Sequence, residues 1–331
     1  MAAEIALALR PESGRRVETI WIEAPGARLH AWYVTPSTEP PWPTVVMSHG
    51  WGAVKEVNLD YTAAAFAEAG LAVVVFDHPG FGASEGLRGD IDPQAQIGGY
   101  DAALSWVEEQ PRTDRDRLAI WGTSFSGGHV LEVAAADERV RATVAQVPTI
   151  SGSENTRRRN DDASLEALRE SFAAEREALA RGAAPTYLPI LTPDPGGGTD
   201  PDPGRWVAER PEALPDSPTV EYPDAEASRF YAELPKARRR TWRNRVTLES
   251  IARYSEYEPG LKLAAAASRP LLVIVAADDT VTPTDVTMDM VGSVGSDIEL
   301  ESVPGGHYNV YTAFREQLGL RAARFFTEHL S

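Results

Sequence analysis

Cysteine does not occur anywhere in the 331 residues. Its absence removes disulfides, thiolate metal sites and a cysteine nucleophile together. Positive charge is also in short supply. The 32 Lys and Arg stand against 49 Asp and Glu, a formal charge of −17, which argues against a nucleic-acid partner on electrostatic grounds. No apolar run approaches the roughly 20 residues of a membrane span. The opening decapeptide carries Glu4 where a secretory leader needs positive charge. A cytoplasmic, soluble protein in a reducing compartment is the expectation. No internal repeat interrupts the pattern.

What remains is ordinary for a globular protein with a sizeable core, 43% hydrophobic and 24% charged. The length suits one large α/β domain with an insertion, or two modest domains. Residues 17–22 and 28–34 read as strands joined by the turn Pro25-Gly26-Ala27, and 36–43 as a proline-rich loop. Apolar strands follow at 44–48, 71–76, 118–121 and 141–147, with helices at 61–70, 97–110 and 126–136 between them. The wholly apolar 71–76 is what a strand buried on both faces requires. Such alternation predicts a mostly parallel, doubly wound sheet.

That rhythm stops near residue 150 and resumes with a strand at 271–275, a helix at 285–291, a strand at 298–303 and a helix at 310–329. Residues 163–181 look helical, 187–223 are dense in Pro, Gly and Asp, and 225–257 look helical again. A structureless loop of this length is unusual inside a compact domain. Residues 151–263 are therefore expected to form an inserted helical cap on a core made of 1–150 and 264–331.

The chemistry concentrates at Gly122-Thr123-Ser124-Phe125-Ser126-Gly127-Gly128. An apolar strand breaks there and restarts as a helix, with small residues on both sides of Ser124. This is the pattern of a nucleophile elbow, in which a tight turn exposes a serine oxygen. Ser126 stands where the simplest form of the motif has glycine; it reads as the small residue that the turn needs. A serine hydroxyl attacks only when a base takes its proton and a third group holds that base. Two later strand ends supply candidates: Asp278 or Asp279 in Ala277-Asp278-Asp279-Thr280, and His307 in Gly305-Gly306-His307-Tyr308. Of the six histidines, His307 alone has the right loop and order; His129 reads as core, and His49 and His78 as holders of loop backbone. Oxyanion donors are expected at the Phe125 amide and at the Trp51 amide in His49-Gly50-Trp51-Gly52. The alternative for Trp51 is a tight turn with an aromatic plug.

The segments Ser48-His49-Gly50, Asp77-His78-Pro79-Gly80-Phe81-Gly82-Ala83-Ser84, Gly122 to His129 and Gly305-Gly306-His307 resemble the α/β-hydrolase superfamily, and the resemblance spans nearly the whole chain. Within it the sequence is similar to dienelactone-hydrolase-like esterases and to a bacterial and fungal group of polyketide transferases and thioester hydrolases. Val147-Pro148-Thr149-Ile150-Ser151-Gly152 resembles that group, whereas the long proline-rich stretch departs from it. The resemblance implies acyl transfer to water or another acceptor, without metal or organic cofactor. It also favours Asp279 over Asp278, from its spacing to Pro283.

The expected function is hydrolysis of a carboxylic ester or thioester through an acyl-enzyme on Ser124. Transfer of the acyl group to an acceptor needs the same residues. A peptidase, or a hydrolase-like binding protein, is the remaining alternative. The expected partner is a small acyl substrate, carried as a free ester or as a carrier or coenzyme thioester. Trp242 and Tyr308, with Trp51 and Phe125, are candidate walls for an apolar acyl chain. Two basic clusters, Arg157-Arg158-Arg159 and Lys236 to Arg245, read as solvated faces paired with acids. In the sharper alternative, Arg239 and Arg240 recognise an anionic group on the donor.

Overall fold

The computed structural model describes residues 9, 15–191, 225–295 and 298–331. Eight strands form one sheet in the order β1-β2-β4-β3-β5-β6-β9-β10. They are β1 (Arg16–Ala24), β2 (Ala27–Thr35), β3 (Trp42–Ser48), β4 (Ala72–Phe76), β5 (Thr113–Thr123), β6 (Val140–Gln146), β9 (Leu271–Ala276) and β10 (Ile298–Val303). The β1–β2 and β2–β4 pairs are antiparallel; every other pairing in this sheet is parallel. The mostly parallel sheet expected from the alternation is present.

Side chains alternate across the pleat, so successive residues of one strand feed opposite cores. Val45 and Met47 of β3 pack with helices α1 (Leu59–Glu68) and α9 (Arg315–His329) through Phe66, Phe325 and Phe326. Val46, between them, faces helices α2 (Pro93–Glu108) and α3 (Phe125–Ala136) through Tyr100, Leu104 and Val130. Both faces being covered is what makes the central strands continuously apolar.

Between β6 and β9, which are neighbours in the sheet, the chain leaves it for more than a hundred residues. This segment holds α4 (Gly152–Arg159), α5 (Asp162–Ala180), α6 (Ala225–Glu233), α7 (Leu248–Ser255) and a two-strand ribbon of β7 (Tyr187–Leu188) and β8 (Val246–Thr247). Helix α8 (Thr284–Val294) follows β9. Phe172, Ile190, Phe230, Tyr231, Trp242 and Tyr254 from the segment pack on Val54, Phe81 and Phe125 at the end of the sheet, as a third apolar cluster. Among the described residues, no helix is long and apolar enough to cross a membrane.

Several boundaries differ from the sequence reading. Residues 225–257 are not one helix. The chain breaks at Pro235, whose ring cannot continue a helix, makes a short turn at Lys236–Arg239, and starts α7 under a Thr247 cap whose hydroxyl accepts from the Ser250 amide. Helix α4 was not anticipated; Ser151 caps it by accepting from the Glu154 amide. Helix α2 starts at Pro93, earlier than its apolar spacing suggested, because Asp92 accepts from the amides of Gln94 and Ala95. Strand β3 already includes Trp42 and Pro43. The last helix is preceded by a separate turn at His307–Tyr311. Most of the Pro-, Gly- and Asp-rich loop of 187–223 lies outside the described residues.

Candidate active site

In a parallel sheet the loops after the strands' carboxyl ends converge on one edge. Here that edge gathers 49–52 after β3, 77–90 after β4, Ser124 after β5, 147–149 after β6, 277–283 after β9 and 304–308 after β10.

Ser124 sits between β5 and α3 at φ 56 and ψ −118, a positive φ that non-glycine residues rarely take. Its amide donates to the Gln146 carbonyl at 2.8 Å, and its carbonyl accepts from the Thr149 amide at 2.9 Å. The turn is tight enough to dictate its neighbours. A Cβ on Gly122 would stand 2.1 Å from the Ser126 carbonyl oxygen, and one on Gly50 only 2.7 Å from the Ser124 Cβ. Both positions therefore require glycine.

Asp279 and His307, from separate strand ends, meet below the surface. His307 Nδ1 lies 2.7 Å from Asp279 Oδ2. The carboxylate accepts, so Nδ1 carries the hydrogen and Nε2 is left as the basic nitrogen. Asp279 Oδ1 takes two backbone donors, the amides of Val281 at 2.8 Å and Thr282 at 2.9 Å. Asp278 is exposed instead, its amide bonded to the Gly305 carbonyl. Of the two adjacent acids, Asp279 is the one that faces the histidine.

Ser124 and His307 border two small adjoining cavities of about 40 and 50 Å³, which share Trp51, Tyr231 and Tyr308. The first is completed by Thr149, Ile190, Leu191, Tyr254, Val281 and Thr282. The second opens toward Ala53, Val57, Leu59, Phe230 and Tyr311. Among the described residues lining them there is no Asp, Glu, Lys or Arg. Tyr308 is at the cavity wall. Trp242 is not: it stacks on Tyr231 at 4.6 Å, one layer behind. Phe125 is likewise buried, edge-on to the Trp51 ring at 5.2 Å.

A neutral network clamps the 49–52 loop to the elbow. The His78 amide donates to His49 Nε2, and His49 Nδ1 to the Gly50 carbonyl. The Ser126 hydroxyl donates to the His49 carbonyl, which leaves His78 Nε2 to donate to Ser126 at 2.7 Å. Burial lowers the pKa of both histidines, so each is the uncharged ring the pattern demands. Beside them Lys55 and Asp77 form a fully buried ion pair, and the Lys55 amide also donates to Asp77. Burial alone would raise the Asp77 carboxyl, but the Lys55 ammonium and its hydrogen bonds outweigh it and hold the group below its ordinary range. Ser126 thus fills the role of a small turn residue and adds a hydrogen bond that glycine could not.

The segment between β6 and β9 touches the site directly. Glu226 of α6 accepts from the Tyr308 amide at 3.0 Å, and Phe230 packs on the Tyr308 ring at 4.7 Å. Its arginines behave differently from one another. Arg157 and Arg158 pair with Glu154, and Arg158 also with Asp285. Arg238 is buried on Asp60. Arg240, Arg243 and Arg245 border a separate cleft of about 670 Å³ facing the 80–89 loop. Among the described residues, no group of three or more His, Asp or Glu could hold a metal. Sequence reasoning missed Thr282, Tyr311, Glu226 and Lys55. Thr282 lies within the spacing between Asp279 and Pro283, whereas Glu226 and Lys55 carry no local signal.

The crystal structure of GrgF from Penicillium sp. superposes with a TM-score of 0.74 and 23% identity, covering 96% of this chain and 99% of that one. The chain has the α/β-hydrolase fold. Residues 25–182 match the family model of the X-Pro dipeptidyl-peptidases (S15 family). By sequence, the polyketide transferase GrgF is 32% identical over 190 residues, 57% of this chain and 61% of that one. The quorum-quenching protein AidA of Acinetobacter baumannii is 29% identical over 85% of this chain and 84% of its own. The thiohydrolase AneE of Aspergillus aculeatus is 26% identical over 84% and 79%. Its sequence relatives and structural neighbours carry the names of thiohydrolases, acyltransferases and esterases.

Proposed function

We propose that the protein cleaves a neutral ester or thioester through an acyl-enzyme on Ser124, with His307 as general base and Asp279 as the group that orients it. The observation that carries this reading is that a strained Ser124 and an Asp279-bonded His307 border the same cavities. Ser124 Oγ attacks the carbonyl carbon while His307 Nε2 takes the hydroxyl proton. The carbonyl oxygen becomes an oxyanion. The amides of Phe125, at the start of α3, and of Trp51, in the clamped loop, receive it. Collapse expels the alcohol or thiol, which takes the proton from His307. Water then repeats the sequence in reverse and frees the acid.

An acyl group without charge is favoured, because a cavity wall of aromatic and aliphatic side chains would desolvate a charge without pairing it. Residues 151–263 act as the cap that builds this wall, through Ile190, Leu191, Phe230, Tyr231 and Tyr254. The partner is a small acyl substrate. The names of AneE and GrgF support a thioester donor and, as a second reading, transfer to an acceptor.

Turnover of p-nitrophenyl and thioester donors tests the assignment. Ser124→Ala should abolish turnover and labelling by a fluorophosphonate, and retained activity overturns it. Adding an alcohol or amine acceptor and measuring ester or amide product separates transfer from hydrolysis.

A further inference from the structure

We infer that the Thr282 hydroxyl is a positioning group for the acid and the base, tying both to the backbone that supports the elbow. This inference rests on the proposed roles of Ser124, Asp279 and His307 and adds a residue to them. Thr282 is buried, and its Oγ1 lies 2.9 Å from Asp279 Oδ2, 3.0 Å from the Val147 carbonyl and 3.2 Å from His307 Nδ1. A hydroxyl has one hydrogen and must choose among acceptors. His307 Nδ1 already spends its hydrogen on Asp279 Oδ2. The Thr282 hydrogen therefore goes to Oδ2 or to the Val147 carbonyl.

Both acceptors matter to geometry. On the acid side, Oδ1 is pinned by the amides of Val281 and Thr282. Oδ2 has only His307 and the Thr282 hydroxyl. Without that hydroxyl the carboxylate keeps its position at one oxygen and loses half of its restraint at the oxygen that steers the imidazole. On the elbow side, Val147 has φ 39, a conformation that β-branched residues avoid. Its amide donates to the Ile274 carbonyl at 2.7 Å, and its own carbonyl is the second acceptor within reach of the Thr282 hydroxyl. Two residues later the Thr149 amide supports the Ser124 carbonyl. One hydroxyl thus links the acid loop, the histidine and the turn that carries the serine. A valine at 282 would fill the same space and offer a hydrogen to neither acceptor.

The test uses the full chain with Thr282→Val, Thr282→Ser and Thr282→Ala, and reads kcat, KM, the melting curve and the downfield imidazole N–H proton resonance by NMR. A lost hydrogen bond to a charged group scales to about a 10- to 100-fold effect on rate. Thr282→Val should lower kcat by that factor with KM within about twofold, and should shift or broaden the downfield resonance. Thr282→Ser should restore both. The inference is overturned if Thr282→Val keeps kcat within about threefold of the wild type, if Thr282→Ser is as impaired as Thr282→Val, or if the resonance is unmoved. Should Thr282→Val fail to fold, Thr282→Ala against Thr282→Ser gives the same contrast. The resonance reports on Asp279 and His307 whether or not Ser124 is the nucleophile. A Ser124→Ala protein that stays active would therefore overturn the proposed function and leave the Thr282 result readable.

Discussion

Arg238 reaches from the segment between β6 and β9 to Asp60 at the start of α1 and binds it with both nitrogens, at 2.6 and 2.9 Å. The same guanidinium donates to the Glu56 carbonyl. Asp60 is fully buried, so removing Arg238 leaves a carboxylate in the interior without its main counter-charge. Arg238→Met should cost about 3–5 kcal/mol in a denaturant titration. Arg157→Met, on a solvent-exposed pair with Glu154, should leave the unfolding midpoint essentially where it is. Equal costs would mean that the buried pair does not anchor the segment.

Gly50 lies against the serine. A methyl there would approach the Ser124 Cβ to 2.7 Å and the Thr123 carbonyl oxygen to 3.0 Å, and backbone cannot yield as a side chain does. Gly50→Ala should lower kcat/KM for a short ester by about 100-fold, the usual penalty for a displacement near 1 Å. Normal kinetics would place the reacting carbonyl elsewhere.

The two adjacent acids invite a direct comparison. Asp279→Asn keeps the shape but changes what the His307 ring can bond to, and kcat should fall by about 10³–10⁴. Asp278→Asn, at an exposed side chain, should stay within about twofold. A reversal of the two would move the orienting role to Asp278.

Ile190 fills one end of the 40 Å³ cavity, against Gly52. Ile190→Ala should raise kcat/KM for a hexanoate relative to an acetate ester by about 10-fold or more, since each accommodated methylene is worth about 1–3 kcal/mol. An unchanged chain-length profile would place the acyl group in the other cavity.

Stability should fall in acid through buried histidines. His129 accepts from Tyr257 and donates to Gln96, and burial pushes its pKa down to about 3. The unfolded chain takes up that proton near 6.5. Between those values the unfolded state binds more protons, so unfolding becomes easier as pH falls from about 6.5 toward 3. Each such residue adds up to about 1.4 kcal/mol per pH unit. His129→Gln should flatten the pH dependence of the unfolding free energy between pH 4 and 6. A slope equal to the wild type's would show that His129 is not buried neutral.

Much of this arrangement was legible beforehand. The parallel core follows from continuously apolar strands such as Ala72–Phe76, and Ser124, the acid pair and His307 follow from strand ends that terminate in small residues. The inserted segment was harder. Its helices are capped by Ser151, Asp161 and Thr247 and oriented by distant contacts such as Arg238 with Asp60. Local periodicity does not encode those. Trp242 illustrates the limit: its composition suits a cavity wall, but stacking on Tyr231 uses up its face. Thr282 shows the reverse case, a residue in a recognised loop whose importance lies in its contacts with Asp279, His307 and Val147, which follow three different strands.

Glu226 has an implication for engineering. Its carboxylate is a ligand for the backbone that carries His307, supplied by a helix more than eighty positions earlier in the chain. A minimal enzyme made by splicing out 151–263, or a chimera carrying a foreign segment there, would inherit the serine, the acid and the histidine but lose the brace under the histidine's loop. Any transplanted segment would have to bring an acceptor to the Tyr308 amide.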